Sequence, residues 1–236
     1  MTQHDLDTLI DQVADRILDA KRIVVFTGAG VSTESGIPDF RSPGGIWDQF
    51  DPEDFTYQKF ISDPEGRKKH WQMLQLVDLI TEAKPNPAPA HYAIAELDRL
   101  VGLDCVITQN IDSLYQKAGV PDDKVFELHG NMQWVVCLNC GQRYPLAHIK
   151  DRLVRGGEIP DCEACGGILK PDVVFFGESL PGDVLQEATS RSHQCDLFIV
   201  IDSTLVVYPA AYMPEYAVER GAKLVIINLS STPMDE

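Results

Sequence analysis

The sequence lacks long apolar runs and has few basic residues. No stretch approaches the ~18 apolar residues that a membrane-spanning helix needs. No basic segment followed by an apolar one opens the chain, so we expect no secretory signal and a cytoplasmic protein. Lysine and arginine total 20 against 36 acidic residues, and this net charge of −16 disfavours nucleic-acid binding. An acidic body suits a basic partner such as a lysine-rich peptide, although the charge also serves solubility alone.

Cysteine is scarce, and most of it occurs in pairs. Four of the six cysteines form two C-x-x-C pairs, Cys137 with Cys140 and Cys162 with Cys165, separated by 21 residues. Two thiolates from one turn can reach the same ion, and four thiolates make a closed, structural zinc site. Two independent redox pairs are the alternative. The other two cysteines lie in apolar surroundings and are predicted core residues.

Apolar runs alternate with helical patterns along most of the chain. The runs cover residues 22–30, 104–108, 125–130, 172–177, 196–202 and 223–228. The helical patterns cover residues 6–20, 91–100, 112–119, 182–193 and 210–221. This alternation predicts an α/β fold with a doubly wound, mostly parallel Rossmann-like sheet.

Two stretches interrupt the alternation. Residues 43–88 have loosely helical apolar spacing and end in a proline-rich connector, whereas residues 131–170 carry the paired cysteines. Both are predicted insertions, one helical and one a four-cysteine zinc ribbon, which together form a smaller lobe. The Rossmann-like domain is then predicted to comprise residues 1–42, 89–130 and 171–236.

A glycine-containing loop follows the first apolar run. Gly28 and Gly30 allow backbone amides to approach a pyrophosphate. The next glycine is Gly36, so the strict G-x-G-x-x-G spacing is absent, and an ordinary strand-to-helix turn is the alternative. The polar residues that follow closely favour a ligand site over a plain turn; they are Ser32, Glu34, Ser35, Asp39 and Arg41.

Polar residues also follow two later apolar runs. Gln109, Asn110 and Asp112 come after one run, and His129 ends another. Ligands of open α/β sheets bind at the carboxyl ends of the strands, where these residues are predicted to lie. A histidine there can act as a general base near neutral pH. The alternatives are a capped helix start at Asn110 or Asp112 and a hydrogen-bonded core histidine.

Two extended segments could either bind a peptide or form ordinary buried strands. Residues 172–178 and 202–209 lie within or after apolar runs. An extended peptide could add as a strand between such edges, and two ordinary buried strands are the alternative.

Taken together, these motifs resemble the sirtuin family of NAD-dependent protein deacylases. The resemblance spans nearly the whole chain in content and in order. It is carried by RIVVFTGAGVSTESGIPDFRS, TQNID, LHG, the four cysteines, KPDVVFFGE, STLVVYP and VIINLS.

The resemblance implies roles for individual residues. His129 would be the general base, Asn110 would assist it, and the four cysteines would hold one structural Zn²⁺. The implied NAD contacts are Gly28, Ala29, Gly30, Ser32, Glu34, Asp39, Phe40, Arg41, Trp47, Gln109, Asn110, Ile111, Asp112, His129, Asp202, Ser203, Thr204, Asn228, Leu229 and Ser230. The implied contacts to an acyl-lysine peptide are Val174, Phe176, Gly177, Glu178, Leu205, Val206, Val207 and Tyr208.

The implied reaction consumes NAD as a co-substrate. Nicotinamide leaves, the acyl group passes to ADP-ribose, and free lysine and O-acetyl-ADP-ribose are released. Acetyl-lysine proteins are the implied partners, with no nucleic acid, no membrane and a monomer as the default. A non-catalytic NAD-sensing or zinc-ribbon binding module and a protein mono-ADP-ribosyltransferase are the alternatives.

One residue departs from the family pattern in the NAD site. Asp202 stands where the family usually has glycine, and a carboxylate beside a phosphate is expected to weaken NAD binding.

The helical insertion bears on acyl specificity. Residues 43–88 contain no Tyr-x-x-Arg pair, which is the feature of family members that remove acidic acyl groups. Trp71 and Leu74 align with its two positions. A preference for neutral acyl groups over succinyl is therefore expected.

Overall fold

The computed structural model describes residues 3–81, 85–156 and 161–235, which contain two β-sheets and the helices that cover them. The strands are β1 (Ile23–Thr27), β2 (Cys105–Thr108), β3 (Val125–Glu127), β4 (Gly130–Cys137), β5 (Arg143–Pro145), β6 (Leu169–Val173), β7 (Leu197–Ile201) and β8 (Lys223–Ile227). The α-helices are α1 (Gln3–Asp19), α2 (Tyr57–Ser62), α3 (Pro64–Thr81), α4 (Pro89–Val101), α5 (Leu114–Ala118), α6 (Leu146–Gly156), α7 (Gly182–Gln194) and α8 (Tyr212–Glu219).

The larger sheet is parallel, with strand order β3-β2-β1-β7-β8. Every residue of β1 is buried, as expected for a central strand covered on both faces. Successive side chains of a strand point to opposite faces. Val24 and Phe26 accordingly join the core cluster that contains residues of α7 and α8, whereas Ile23 and Val25 join the cluster that contains residues of α4. The predicted doubly wound sheet is confirmed.

The smaller sheet is antiparallel, with order β5-β4-β6. It buries one face against α2, α3 and α6. Phe60, Trp71 and Ile149 from these helices share a core with Val135 of β4 and Leu169 of β6. The helical insertion and the cysteine-bearing segment therefore build one lobe around one hydrophobic core.

The strand predicted over residues 172–177 is placed differently in the structure. The strand is β6 (Leu169–Val173), and it pairs with β4 in the smaller sheet rather than joining the parallel sheet. It crosses the predicted domain boundary between residues 170 and 171. A short apolar run does not specify its partner strand, because tertiary context decides the pairing.

The segment 202–209 is a loop, not a strand. Asp202 and Leu205 have left-handed backbone angles, with φ of 49° and 55°. These angles break the extended conformation directly after β7. Among the described helices, none is both long and apolar enough to cross a membrane.

Candidate functional site

The glycine loop after β1 lies against the loop after β7. A Cβ built on Gly28 would lie 2.5 Å from the carbonyl oxygen of Asp202, and one built on Gly30 would lie 2.8 Å from the Asp202 Cβ. No side chain fits at either position while the two loops stay this close. The glycines thus allow the two loops to pack closely, with Gly28 buried and Gly30 partly exposed at this edge of the sheet. Ala29 opens the short 3₁₀ helix (Ala29–Ser35) that follows.

Polar side chains from β1 and β2 meet beside that loop. Ser32 Oγ donates to Asp112 Oδ2 at 2.6 Å and accepts from Asn110 Nδ2 at 3.1 Å. Asp112 Oδ1 accepts from the backbone N–H of Leu114 at 2.9 Å, at the start of α5. Asp112 therefore contacts the first residue of α5 with one oxygen and Ser32 with the other. The N-cap residue of α5 is Ser113, so the alternative of Asn110 or Asp112 as N-cap was wrong.

Gln109 connects β2 to β7. Its Nε2 donates to Ser203 Oγ at 2.9 Å, and Ser203 is buried. The carboxyl ends of β1, β2 and β7 are therefore joined by side-chain hydrogen bonds, as the strand order requires. Ile111 follows in the same loop, and its carbonyl oxygen accepts from the backbone N–H of Met132.

Sequence reasoning missed His91, a buried residue of this network. Its Nδ1 accepts from the Ala88 N–H at 3.1 Å, and its Nε2 lies 3.5 Å from Ser32 Oγ. His91 closes the proline-rich connector that precedes α4, which the sequence analysis treated as a linker. A histidine ending such a connector, directly at a predicted helix start, was the available signal.

His129 is half-buried, and one of its ring nitrogens is committed to a backbone contact. Nδ1 lies 3.0 Å from the carbonyl oxygen of Gln109. A carbonyl oxygen only accepts, so Nδ1 carries the proton and Nε2 keeps its lone pair. Burial lowers the pKa of His129, which favours the neutral ring. The residue is therefore held in the tautomer and charge state of a base.

The Glu127 carboxylate, two residues before His129 in the sequence, holds neighbouring polar side chains in place. Glu127 accepts from Ser113 Oγ at 3.1 Å, from Gln116 Nε2 at 3.2 Å and from Asn131 Nδ2 at 2.7 Å. Burial raises the pKa of Glu127, although these three donors favour its charged form. The carboxylate joins the loop before α5 to the turn that carries His129.

Aromatic rings form a separate cluster between the loop after β1 and the segment after β6. Trp47 lies 5.3 Å from Phe40, 6.2 Å from Phe55 and 5.8 Å from Phe176, measured between ring centroids. Phe176 is 45% exposed. The cluster joins the loop after β1 to the segment after β6 and supplies an apolar wall that can exclude water.

The loop that carries Phe40 is shaped by a carboxylate. Asp39 Oδ1 accepts from the backbone N–H of Arg41 at 2.9 Å and of Ser42 at 2.8 Å. The Arg41 side chain is exposed, and so is that of Glu34.

The segment after β6 presents its outer edge to solvent. Phe176 and Gly177 are exposed, and the Phe176 carbonyl oxygen accepts from the backbone N–H of Tyr57 at 2.9 Å. Val174 N–H donates to the His129 carbonyl oxygen at 2.9 Å, which ties the segment to the turn that carries His129. The Glu178 carboxylate contacts Lys170 Nζ at 2.9 Å, so this oxygen is committed to a contact within the protein.

The loop after β7 presents a mixed surface. Leu205 is buried, whereas Val206 and Tyr208 are about half exposed, at 49% and 51%. Val207 and Thr204 are intermediate in exposure.

The end of β8 lies beside the start of the β7 loop, because Asp202 N–H donates to the Ile227 carbonyl oxygen at 2.9 Å. Asn228 Nδ2 donates to the Ser230 carbonyl oxygen at 2.9 Å, and Leu229 is fully exposed. Burial, and then the nearby charge of Glu34, raises the pKa of Asp202.

The four paired cysteines converge in the smaller lobe. Their sulfur atoms lie within 4.8 Å of one another. Cys137 Sγ is 3.5 Å from Cys165 Sγ, and Cys140 Sγ is 3.7 Å from Cys162 Sγ. Tetrahedral zinc with Zn–S bonds of about 2.3 Å places its sulfurs about 3.8 Å apart, so the cluster fits Zn²⁺. The predicted four-cysteine cluster is confirmed.

A tyrosine supports the thiolate form of one cysteine. The Tyr144 hydroxyl lies 3.2 Å from Cys162 Sγ and lowers the pKa of that thiol to about 6. Deprotonated sulfur is the form that binds zinc.

Comparison with known proteins gives a consistent result along the chain. Residues 28–209 match the Sir2 family. The chain is 44% identical over 236 residues to an NAD-dependent protein deacetylase of Rhodopseudomonas palustris, covering 100% of this chain and 92% of that protein. It is 46% identical over 226 residues to NAD-dependent protein deacetylase 1 of Pyrobaculum aerophilum, covering 96% and 86%.

Solved structures agree with the sequence relatives. A Sir2 structure with a deacetylated p53 peptide and 3′-O-acetyl ADP-ribose superposes with a TM-score of 0.86 at 38% identity, covering 96% of this chain and 89% of that one. A structure of Sir2Tm bound to a propionylated peptide superposes with a TM-score of 0.81 at 38% identity, covering 96% and 89%.

Proposed function

The chain belongs to the Sir2 family, and from that membership and the site geometry we propose that it removes acyl groups from protein lysines, with His129 as the general base. The chain is an NAD-dependent protein deacetylase that releases nicotinamide, O-acetyl-ADP-ribose and free lysine. The observation that carries the proposed residue roles is His129, whose tautomer leaves Nε2 free at the carboxyl edge of a parallel sheet.

The proposed NAD site extends across the carboxyl ends of β1, β2, β7 and β8. The glycine loop receives the pyrophosphate, and the Ser32–Asp112–Asn110 network holds the nicotinamide end. The further proposed contacts are Ala29, Glu34, Asp39, Phe40, Arg41, Trp47, Gln109, Ile111, Asp202, Ser203, Thr204, Asn228, Leu229 and Ser230.

NAD supplies an activated ribose carbon that accepts the acyl oxygen of the modified lysine as nicotinamide departs. His129 Nε2 takes a proton from a ribose hydroxyl, and the Gln109 carbonyl oxygen keeps the ring in the required orientation. Asn110 and Asp112 replace water with fixed polar groups. Phe40, Trp47 and Phe176 keep solvent from the reacting centre.

The proposed peptide site lies between two segments. Residues 174–178 and 205–208 each present exposed backbone or side chains on this side of the molecule, and an extended acetyl-lysine peptide would add between them. A protein of net charge −16 suits lysine-rich substrates.

The zinc ribbon is proposed to be structural, because four cysteine ligands leave no open coordination position. The division into a Rossmann-like domain and a small domain, at the boundaries given above, belongs to the same proposal, and a monomer remains its default. A cytoplasmic location also belongs to it, since zinc thiolates persist in a reducing compartment.

The proposal is tested by incubating the protein with NAD and an acetyl-lysine peptide and then weighing the peptide. NAD-dependent loss of an acetyl mass is the expected result. A gain of an ADP-ribose mass would instead indicate ADP-ribosyl transfer, and an unchanged peptide would indicate a binding module. Omitting NAD is the control.

A further inference from the structure

Lys170 is a buried cation whose contacts all lie within one short part of the chain. Its side chain is 4% exposed. Nζ lies 2.9 Å from Glu178 Oε2, 2.6 Å from the Val173 carbonyl oxygen and 3.2 Å from that of Pro171. An ammonium group has three N–H donors and is costly to bury unless they are used. Here the three donors have three acceptors.

The aromatic neighbour of Lys170 belongs to the same segment. Nζ lies 4.4 Å from the centroid of the Phe175 ring, within the range of a cation–π contact. Phe175 also packs on Phe60 and His70, at centroid distances of 5.2 Å and 4.7 Å. The cation is therefore fixed between the core of the smaller lobe and the segment that follows β6.

Two residues that contact Lys170 lie at the two ends of residues 174–178, the segment proposed to pair with the peptide. Val173 immediately precedes the segment, and Glu178 ends it. The Glu178 carboxylate also accepts from the Phe175 N–H at 2.9 Å, while the Glu178 N–H donates to the Phe175 carbonyl oxygen at 3.0 Å. One cation thus holds both ends of a tight turn whose tip, Phe176 and Gly177, is exposed.

We propose that Lys170, through Glu178, is the positioning residue that sets the conformation of the peptide-pairing segment 174–178 and so determines affinity for the acyl-lysine peptide. This inference rests on the proposed function. Lys170 touches no substrate, because it is buried beneath the segment. Its removal lets the turn relax, and the backbone groups offered to the peptide then lose their alignment before any chemistry occurs.

A positioning role for the Lys170–Glu178 pair and a purely stabilising role predict different effects on the stability of the fold. A buried ion pair adds little net stability compared with neutral groups of similar shape, because both charges lose hydration. Replacing both partners by neutral residues is therefore expected to leave the fold intact. What the pair supplies is a defined geometry, since three directed contacts converge on one nitrogen.

The test compares wild type with Lys170→Met, Glu178→Gln, the double variant and Lys170→Arg. Lys223→Met, at an exposed lysine of β8, is the matched control. Peptide Kd is measured by fluorescence anisotropy of a labelled acetyl-lysine peptide, and NAD Kd is measured by calorimetry. The melting temperature, kcat and KM of each variant are measured as well. The double variant keeps the inference testable if a lone buried charge prevents folding.

We expect Lys170→Met and the double variant to raise peptide Kd and KM roughly tenfold, which corresponds to about 1.4 kcal/mol of binding free energy. NAD Kd and kcat should change by less than about threefold, and Lys170→Arg should recover most of the peptide affinity. The split between KM and kcat is the signature of positioning.

An unchanged peptide Kd in a folded double variant would overturn the inference while leaving the deacetylase assignment intact. Parallel losses of NAD affinity, peptide affinity and melting temperature would also overturn it, because they indicate a general structural role. A wild-type protein that neither binds nor deacetylates the peptide would refute the proposed function and this inference together.

Discussion

His129 combines a backbone contact, partial burial and a free nitrogen. The Gln109 carbonyl oxygen orients the ring, and burial keeps its pKa below the ordinary histidine value. A residue held in this way needs no conformational change before it accepts a proton. Its fixed surroundings therefore suit the proposed role of His129 as a general base.

Substitution of His129 by alanine tests that role. We expect deacetylation to fall by ~10²–10⁴-fold, the usual contribution of a general base, while NAD Kd stays within a few-fold of wild type. Because the pKa of His129 is lowered, the neutral form persists at lower pH, and wild-type activity should fall to half at a pH below the ordinary histidine pKa. Steady-state kinetics across pH measure both effects.

His193→Ala is the matched control for His129→Ala, because His193 lies on α7 against Tyr216 and outside the proposed site. It should leave turnover near wild type. Near-normal turnover in His129→Ala would remove that residue from the mechanism.

Asp202 places a carboxylate at a left-handed position beside the glycine loop, with φ of 49°. Its charged form repels a pyrophosphate, so Asp202→Gly should tighten NAD binding by roughly three- to tenfold, since screened repulsion near a surface amounts to a few kcal/mol at most. Because the pKa of Asp202 is raised, wild-type affinity should be highest at acid pH and fall as the carboxyl group ionises.

Calorimetry at several pH values and salt concentrations measures this effect, with Asp202→Asn as the neutral control of similar shape. In wild type the repulsion should weaken as salt rises. An unchanged or weaker NAD affinity in Asp202→Gly would mean that the carboxylate points away from the phosphate or hydrogen-bonds the ligand.

Site residues that directly follow a predicted strand can be recognised from the sequence more readily than residues that support the site through tertiary contacts. Gln109, Asn110 and Asp112 come directly after an apolar run, which predicts their meeting at a sheet edge. His91 and Lys170 are brought into place by tertiary packing, one from a connector and one from inside a strand. Lys170 has no local pattern that distinguishes it from an ordinary polar residue, and His91 has only its position at the end of a proline-rich connector.

At the level of structural elements, the lobe that carries the four paired cysteines is the part expected to depend most directly on a bound metal ion. One zinc per chain should be found by elemental analysis. Cys140→Ala should remove most of it and lower the melting temperature by roughly 10 °C, since about 3 kcal/mol in a domain of this size corresponds to that shift. Activity should fall in parallel.

Cys195→Ala provides the control for Cys140→Ala, because Cys195 is a buried cysteine of the other core. It should cost some stability without changing the zinc content. A metal-free Cys140→Ala protein with wild-type melting temperature and activity would contradict a structural role for zinc.

The helices α2 and α3 bear on acyl specificity. Arg67 donates to the Phe60 carbonyl oxygen at 2.8 Å, and Lys69 contacts Asp54 at 2.9 Å, so both cations already have partners within the protein. Trp71 is buried in the core of the smaller lobe. The side chain of Leu74, the other aligned position, lies outside the described residues.

Lys68, also on α3, is exposed to solvent. We expect none of these three cations to face an acidic acyl group, and burying an unpaired carboxylate is strongly unfavourable. We expect kcat/KM for acetyl-lysine to exceed that for succinyl-lysine by about 10²-fold or more on one peptide sequence, corresponding to about 3 kcal/mol. A propionyl peptide is the neutral control and should resemble acetyl. Faster removal of succinyl would mean that another cation reaches the acyl group.

The elements themselves were predictable to different degrees. Strands β1, β2 and β7 follow from continuous apolar runs separated by helical patterns, because central parallel strands are buried on both faces. The edge strand β8 also coincides with a predicted apolar run, although it is only partly buried. The apolar run at residues 172–177 overlaps strand β6 only at residues 172 and 173, and β6 pairs with β4 in the other sheet. Local composition does not encode the partner of a short strand, so its sheet emerged only from the structure.

In the molecule as a whole, two sheets with separate cores are joined around the segments that carry chemistry. His129 precedes β4, and residues 174–178 follow β6, so both strands of the small sheet lead into the proposed site. The backbone contact between Val174 and His129 joins the proposed peptide segment to the base. This arrangement explains why the zinc-bearing lobe can affect catalysis without contributing a metal to the reaction.

The central claim is that this site transfers an acyl group from lysine to NAD-derived ADP-ribose. The most direct measurement uses a peptide whose lysine carries an isotope-labelled acetyl group and follows the label by mass spectrometry after reaction with NAD. The account predicts that the label appears on ADP-ribose, one per lysine freed and one per nicotinamide released, and that His129→Ala abolishes this transfer. Label released as free acetate without consumption of NAD would contradict it.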